Sequence, residues 1–586
     1  MTTTVLLSFA VWGALGYEAS VPRFFMDELY YMKAGVSFGQ GHGLQFEGGS
    51  WGYGPLFPLL IAGLVRLTSS QESAYELLKV ANAAFFALAS VPIYLLARRL
   101  LPPWPSVGVV ALSALVPSSM YVSVSMTESL GYLTACWSIY TILRVLEHPT
   151  AARQLVALGG LVVAIAVRPQ FVSLFGGYLL GLALVAVASP GRRPSLRSLW
   201  PTVLAIVGGL AWVVRPLVQG HGVGRSLGSY SSLARRYDPL QVAKWFVYHV
   251  GDLALYVGVV PLVVAPIVLA LWWRRARGGS VPHAALLALF VAQNVIGIGL
   301  VAAFASTSAG LGILYDRYLF YLVPLWMLLL VAWIREGLPK PARTLAVGVV
   351  AAVAVVVTLP FDVVGRQSWF QHFEAVATGS WGKVGLVAAR VPLVSVRTAG
   401  VVFVVVLAIA VVVVPRRKAW IHPAIVALVL AANLSLAWRS AFVDPAIYGL
   451  SRPGTRSFVD ARVGNAADVT VLVVHAQCIR ADTDRFATLE TDYFNRSVRR
   501  MAWVNEGEGG DVGPSSLTVL ADGSLVTRSG HAVTARYLVT PPGVVVRGRH
   551  LAAGMAANLV LWDVAGAIRF ENAHSDKQLF ATSCGS

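Results

Sequence analysis

Apolar runs long enough to cross a lipid bilayer recur along the first three quarters of the chain, and then they stop. A spanning helix needs about 20 mostly apolar residues. Runs of that kind lie at 4–20, 75–100, 105–121, 128–146, 152–168, 170–189, 198–215, 251–273, 284–305, 317–334, 343–360, 398–414 and 420–440. They predict about thirteen transmembrane helices. The first run, Val5 to Tyr17, is short for a span, and no basic segment precedes it, so no cleaved signal peptide is expected. Leu56–Leu67 is apolar but shorter still, and it follows Gly54-Pro55. It predicts a helix lying in the membrane interface or partly inserted.

After Ala441 the pattern changes to short β-type runs: Val469–Val474, Leu517–Leu520, Leu525–Thr527, Tyr537–Thr540, Val544–Val546 and Leu559–Trp562. Asp522-Gly523 between two of these runs is a hairpin signal. Arg485 to Arg500 has helix-like spacing. The expected architecture is a polytopic α-helical membrane domain, 1–440, followed by a small mixed α/β domain, 441–586, outside the membrane.

Charge orients this arrangement. Of the 586 residues 56% are hydrophobic and 13% charged, against roughly a quarter charged in soluble domains. The formal net charge of +18 does not point to nucleic acid, because Arg and Lys sit in short clusters between apolar runs. Arg98-Arg99, Arg144 with Arg153, Arg192-Arg193 with Arg197, Arg274-Arg275-Arg277, Arg335 with Lys340 and Arg343, and Arg416-Arg417-Lys418 occupy alternate loops. Such loops are cytoplasmic. The N-terminus is then cytoplasmic, and Asp27, Glu28 and Glu128 share the outer face with the C-terminal domain. Of three cysteines, Cys478 and Cys584 fall in that exported domain, as two thiols or as a disulfide, which would persist there.

Carboxylates beside a membrane boundary are costly, which draws attention to Val21–Leu60. Asp27 and Glu28 are adjacent, Tyr30 and Tyr31 follow, and a glycine-rich run leads to Tyr53-Gly54-Pro55-Leu56. Acids in a first helical turn also simply complement the helix dipole, and the same holds for Glu128 after Thr127. Three acids on one face favour a shared polar site. Arg317-Tyr318 stands before the tenth run; its guanidinium matches phosphate oxygens, or it snorkels to the headgroups. Arg168 and Arg215 share this level. The loop 216–250 carries His221, Arg225, Tyr230, Arg235, Arg236 and Tyr237, then an amphipathic run from Leu240 to His249, and is suited to ordering over a lipid-linked substrate. No compact metal-ligand cluster and no Walker motif is present. The sequence requires no cofactor and leaves a divalent cation open.

The combination resembles the membrane glycosyltransferases of the GT-C fold, closest to the branch of protein O-mannosyltransferases and lipid A aminoarabinose transferases. The resemblance rests on Asp27-Glu28-x-x-Tyr31, Gly54-Pro55-Leu56, the Pro92–Leu100 segment ending the next run, and Arg317-Tyr318 with Pro324. It implies a glycosyltransferase on the outer face, using a polyprenyl-phosphate-linked sugar donor and a cell-envelope glycan, lipid or protein acceptor. Asp27 would be the general base, and Glu28, Tyr31, Tyr53, Glu128, Arg168, His221, Arg225, Arg317 and Tyr318 would bind substrate. The C-terminal domain differs from that of either named branch. The Ala-, Val-, Arg- and Gly-rich composition fits a high-GC bacterium such as an actinobacterium, with arabinan or mannan in its wall. The alternative is a transporter or flippase of a lipid-linked saccharide.

Overall fold

The structure is a computed structural model that describes residues 2–19, 22, 26–46, 49–188, 196–220, 237–307, 312–361, 396–439, 456–475, 479–505, 517–554 and 559–584. The chain opens with helix α1 (Thr2–Glu18), α2 (Met26–Gly39) and a two-stranded hairpin of β1 (Gln45–Phe46) and β2 (Gly49–Ser50). Next come α3 (Leu56–Leu67), α4 (Gln71–Leu88), α5 (Ser90–Ala97) and α6 (Pro103–Ala114). The bundle continues with α7 (Glu128–Glu147), α8 (Ala151–Val167), α9 (Val172–Ala188), α10 (Trp200–Val218), α11 (Pro239–Tyr256), α12 (Val260–Arg277), α13 (Val281–Ala305), α14 (Val323–Arg335) and α15 (Ala342–Val357). Two further apolar helices span Val396–Val413 and Ile421–Trp438.

Among the described residues, five helices are long and apolar enough to cross a membrane, or up to seven if each of two bent pairs is one span. By that measure the described residues do not reach the expected thirteen; α8, α15 and three other apolar helices are 10–17 residues long. Two runs expected to be continuous are broken. Pro117, which cannot continue a helix, follows α6, and the chain turns there by 64°. Between α11 and α12 the turn is 107°. Gly258 and Val259 adopt φ of 86° and 62° at this corner, a region that ends a right-handed helix.

The helix that carries the candidate acids is held by close packing. In α2, Asp27 and Glu28 occupy the first turn, where they complement the dipole. On its opposite end Gly35-x-x-x-Gly39 faces α3. A Cβ on Gly35 would stand 2.4 Å from Ile61 Cγ2, and one on Gly39 3.3 Å from Val65 Cγ1. Small residues four apart let two helices approach at backbone distance, so α2 lies directly on the short apolar helix expected at Leu56–Leu67.

The C-terminal part contains a five-stranded mixed sheet in the order β4-β3-β7-β9-β8. Its strands are β3 (Val469–His475), β4 (Val498–Asn505), β7 (Thr534–Thr540), β8 (Arg549–Ala553) and β9 (Val560–Ala567); β5 (Thr518–Val519) and β6 (Leu525–Val526) form the hairpin expected around Asp522-Gly523. β3 runs parallel to β4 and β7, whereas β9 runs antiparallel to β7 and β8. The helix expected over Arg485–Arg500 is instead Ile479–Phe494, and its last residues belong to β4. The run Val544–Val546 contributes only an isolated bridge, Val546 to Phe570. Cys584 is disulfide-bonded and Cys136 is free; Cys478 lies outside the described residues.

The two parts of the chain share a core. One apolar cluster joins Leu29, Met32, Phe57 and Tyr75 of the helical part to Val471, Leu489, Trp503 and Leu561 of the sheet domain. A separate cluster fills the far face of the sheet. The sheet domain is therefore seated on α2, α3 and α4 by buried apolar area, the main driving force for such docking.

Candidate active site

The site assembles where four stretches converge: the first turn of α2, the start of α7, the residue after α8, and the short 3-10 turn Asp316–Tyr318 ahead of α14. Each position places a side chain at a helix terminus, where backbone polar groups are unsatisfied and charged partners are favoured. Asp27 is the acid that meets open space. Its side chain is 42% exposed, whereas Glu28 and Glu128 are buried.

Arg317 ties the group together. Its side chain is 3% exposed. Its Nη2 donates to Asp27 Oδ2 at 3.2 Å and to the Tyr318 hydroxyl at 3.2 Å. Its Nε lies 3.4 Å from Glu128 Oε1, and the same oxygen accepts from Arg168 Nη1 at 2.9 Å. Both guanidinium groups lie against the Tyr318 ring, at 4.8 Å for Arg168 and 5.0 Å for Arg317, within cation–π range. Tyr315 stacks on Tyr318 with ring centroids 4.9 Å apart. Two acids and two arginines form a charge-balanced chain, Asp27–Arg317–Glu128–Arg168, whose exposed end is Asp27. Glu128 Oε2 is buried with no hydrogen-bond partner among the described residues.

Glu28 has a different task. Its Oε1 accepts from the Ser125 backbone N–H at 3.0 Å and from Ser125 Oγ at 3.4 Å. Ser125 Oγ in turn accepts from the Tyr493 hydroxyl at 2.7 Å. Glu28, which the resemblance implies as a substrate-binding residue, here caps the Ser125 backbone N–H. Tyr493 belongs to the helix Ile479–Phe494, so the sheet domain reaches the acid pair through one serine. No sequence signal marks Ser125 or Tyr493, since 368 residues separate them.

Tyr31 and Tyr53 stand in an aromatic group with Trp51 and Phe57. Tyr31 is nearly buried, with its ring 5.5 Å from Trp51, 6.4 Å from Tyr53 and 5.5 Å from Phe57. Trp51 Nε1 donates to the Gly54 carbonyl at 3.2 Å and closes the loop. Gly54 lies on the end of α8, directly beneath Arg168: a Cβ there would be 2.5 Å from the carbonyl oxygens of both Ala166 and Val167. His221 and Arg225 lie outside the described residues. Among the described residues no group of three or more His, Cys, Asp or Glu side chains could hold a metal ion.

A family model for dolichyl-phosphate-mannose-protein mannosyltransferases matches residues 53–218. That stretch includes Glu128 and Arg168 but neither Asp27 nor Arg317. No curated protein matches the chain by sequence. Among solved structures, ArnT from Cupriavidus metallidurans in the apo state aligns with a TM-score of 0.50 at 13% identity, covering 96% of this chain and 98% of that one. ArnT from the same organism bound to undecaprenyl phosphate aligns with a TM-score of 0.49 at 12% identity over the same shares. The first likeness gives the fold, that of a multi-pass helical membrane protein of the GT-C type with a C-terminal sheet domain. Together with the family model, it bears out the resemblance to the GT-C fold read from the sequence.

Proposed function

We propose that the protein is an inverting glycosyltransferase that moves a sugar from a polyprenyl-phosphate donor to a cell-envelope acceptor on the outer face of the membrane, with Asp27 as general base. The observation that carries this reading is the Asp27–Arg317 pair: an exposed carboxylate held by a buried guanidinium at 3.2 Å. A donor phosphate entering the site competes with Asp27 for Arg317. Guanidinium and phosphate form strong charge-assisted pairs, so the exchange leaves the Asp27 carboxylate free to accept a proton. Arg168, on the same Tyr318 ring, supplies a second positive charge.

In the chemical step the acceptor hydroxyl oxygen attacks the anomeric carbon. The bond from that carbon to the phosphate oxygen breaks, and its electron pair leaves with the lipid phosphate. The hydroxyl proton passes to Asp27 Oδ. The leaving phosphate has a second pKa of about 6 and departs as an anion without a general acid, so one carboxylate suffices. Direct displacement inverts the anomeric centre. Family likeness over residues 53–218 supports the transferase class.

A transporter reading would draw on the broken pair α11 and α12, since discontinuous helices build transporter sites. One experiment separates the two. Sugar transfer is measured at saturating donor for Asp27→Asn, Glu28→Gln and Glu128→Gln. A positioned base contributes about 10²–10⁴-fold, so Asp27→Asn loses most turnover while donor binding persists. Full transfer activity in all three variants, or no transfer by the wild type with any polyprenyl-phosphate sugar, would refute the mechanism.

A further inference from the structure

A cavity of about 570 Å³ lies between α2, the β1–β2 hairpin and the edge strand β4 of the sheet domain. The mechanism above does not use it. A second cavity of about 540 Å³ adjoins it, sharing Gln40, His42, Arg496 and Arg499. Both acids that line this double cavity are already paired: Asp492 with Lys33 at 2.8 Å and Asp468 with Arg500 at 2.6 Å. Arg66 and Arg499 line it with no carboxylate partner among the described residues, whereas Arg496 lies beside Asp460, whose Oδ2 accepts from its backbone N–H at 2.8 Å, and turns its guanidinium to Thr68 and Ser70. Arg499 donates only one hydrogen bond, to the Ala466 carbonyl, and its buried Nε has no partner among the described residues. The lining thus offers uncompensated positive charge on a polar floor of Gln40 and Gln45.

The cavity lies along the same helix, α2, that carries the reacting acid. Phe46 forms its wall, and the Phe46 ring packs on Tyr30 at 4.4 Å. Tyr30 follows Asp27 by three residues, so the two share a face of α2. Lys33, at the cavity, is six residues beyond Asp27, which is about 9 Å of helix rise. Phe46 and Tyr30 thus lie between the Arg499 end of the cavity and the Asp27 turn of α2. Excess guanidinium fits an anionic group, amide side chains fit hydroxyls, and an aromatic wall fits the apolar face of a sugar ring.

We propose that this double cavity binds the acceptor, and that the acceptor is a saccharide bearing a phosphate or carboxylate, with its anionic group on Arg499. The proposal rests on the glycosyltransferase reading. The test is equilibrium binding to the purified full chain without donor, using mannose 6-phosphate, glucuronic acid, mannose and inorganic phosphate as probes. The charged sugars should bind at least about tenfold more tightly than mannose, the scale of one charge-assisted hydrogen bond. Inorganic phosphate should bind more weakly than mannose 6-phosphate. Arg499→Gln should cost about tenfold for both charged sugars, and the exposed Arg66→Gln several-fold, while Arg569→Gln, outside the cavity beside Asp522, leaves their affinity unchanged. The relative affinity of mannose 6-phosphate and glucuronic acid tells phosphate from carboxylate. Equal binding of mannose and mannose 6-phosphate, equal binding of phosphate and mannose 6-phosphate, or unchanged affinity in both the Arg499 and Arg66 variants would overturn the assignment. Because no transfer is involved, loss of this binding with transfer intact refutes the cavity alone. Intact binding with no transfer refutes the glycosyltransferase.

Discussion

Gly54→Ala adds one methyl group at the point where the first loop rests on α8. The new Cβ would stand 2.5 Å from the carbonyl oxygens of Ala166 and Val167 and 2.8 Å from the Val167 carbonyl carbon. All three atoms are backbone, so no side-chain rotation relieves the clash. Ordinary contact begins at about 3.5 Å, so loop and helix must separate by about 1 Å. Overpacking of this kind costs about 1–3 kcal/mol. The displaced residues adjoin Arg168, whose 2.9 Å bond to Glu128 also steadies Arg317. Added separation of about 1 Å takes that bond beyond hydrogen-bond range. Misplacing a substrate-positioning group by that much is worth on the order of 10²-fold in rate. The assay is sugar transfer at saturating donor, together with the thermal unfolding midpoint in detergent. The expected outcome is a turnover loss of about 10–100-fold with a lowered midpoint. Wild-type rate and wild-type midpoint in Gly54→Ala would show that the loop–helix contact does not set the position of Arg168.

Three further outcomes follow from the same geometry. Arg317→Lys keeps the charge but loses the planar fork that reaches Asp27, Glu128 and Tyr318 together; donor affinity should fall about tenfold or more, and unchanged donor KM and kcat would remove Arg317 from phosphate binding. Tyr493→Phe deletes the hydrogen bond to Ser125 Oγ, worth about 0.5–1.5 kcal/mol; transfer should drop several-fold with the sheet domain still folded, and an unaltered rate would show that Glu28 needs no support from that domain. Burial, partly opposed by Lys33, pushes the Asp492 carboxyl above its ordinary value. A raised acid contributes stability that is fully present below its unfolded pKa of about 3.9 and is lost as pH rises through the folded value. The thermal midpoint of Asp492→Asn relative to wild type should therefore improve as pH rises from 3 through that window, and a pH-independent difference would contradict it.

How much of this was legible in the chain depends on sequence distance. The acids Asp27 and Glu28, the short helix Leu56–Leu67 and the Asp522-Gly523 hairpin are local patterns, and each appears where expected. The pairing of Asp27 with Arg317 joins residues 290 apart, which no periodicity encodes. Helix ends were misplaced where one signal covered another. Arg499 and Arg500 look like the polar face of a helix, yet they begin an edge strand, where charged side chains guard unpaired backbone. The run 251–273 is apolar throughout, so hydropathy could not show the corner that Gly258 and Val259 turn. Glu28, expected to bind substrate, is buried against Ser125, a partner 97 residues away that no local pattern marks.

The contact of the sheet domain with the first loop also constrains how the chain is threaded. Lys33 bonds to Asp492, and Ser125 to Tyr493. Polar partners that touch outside hydrocarbon lie on one side of the bilayer, because an open sheet edge is not found within it. The chain must therefore cross an even number of times between residues 33 and 125, and again an even number between 125 and 492. The span Gln71–Ala97 and the bent pair that follows it satisfy the first condition as two crossings. Whichever of the shorter apolar helices traverse the membrane, the second count has fixed parity: any revision to it comes in steps of two.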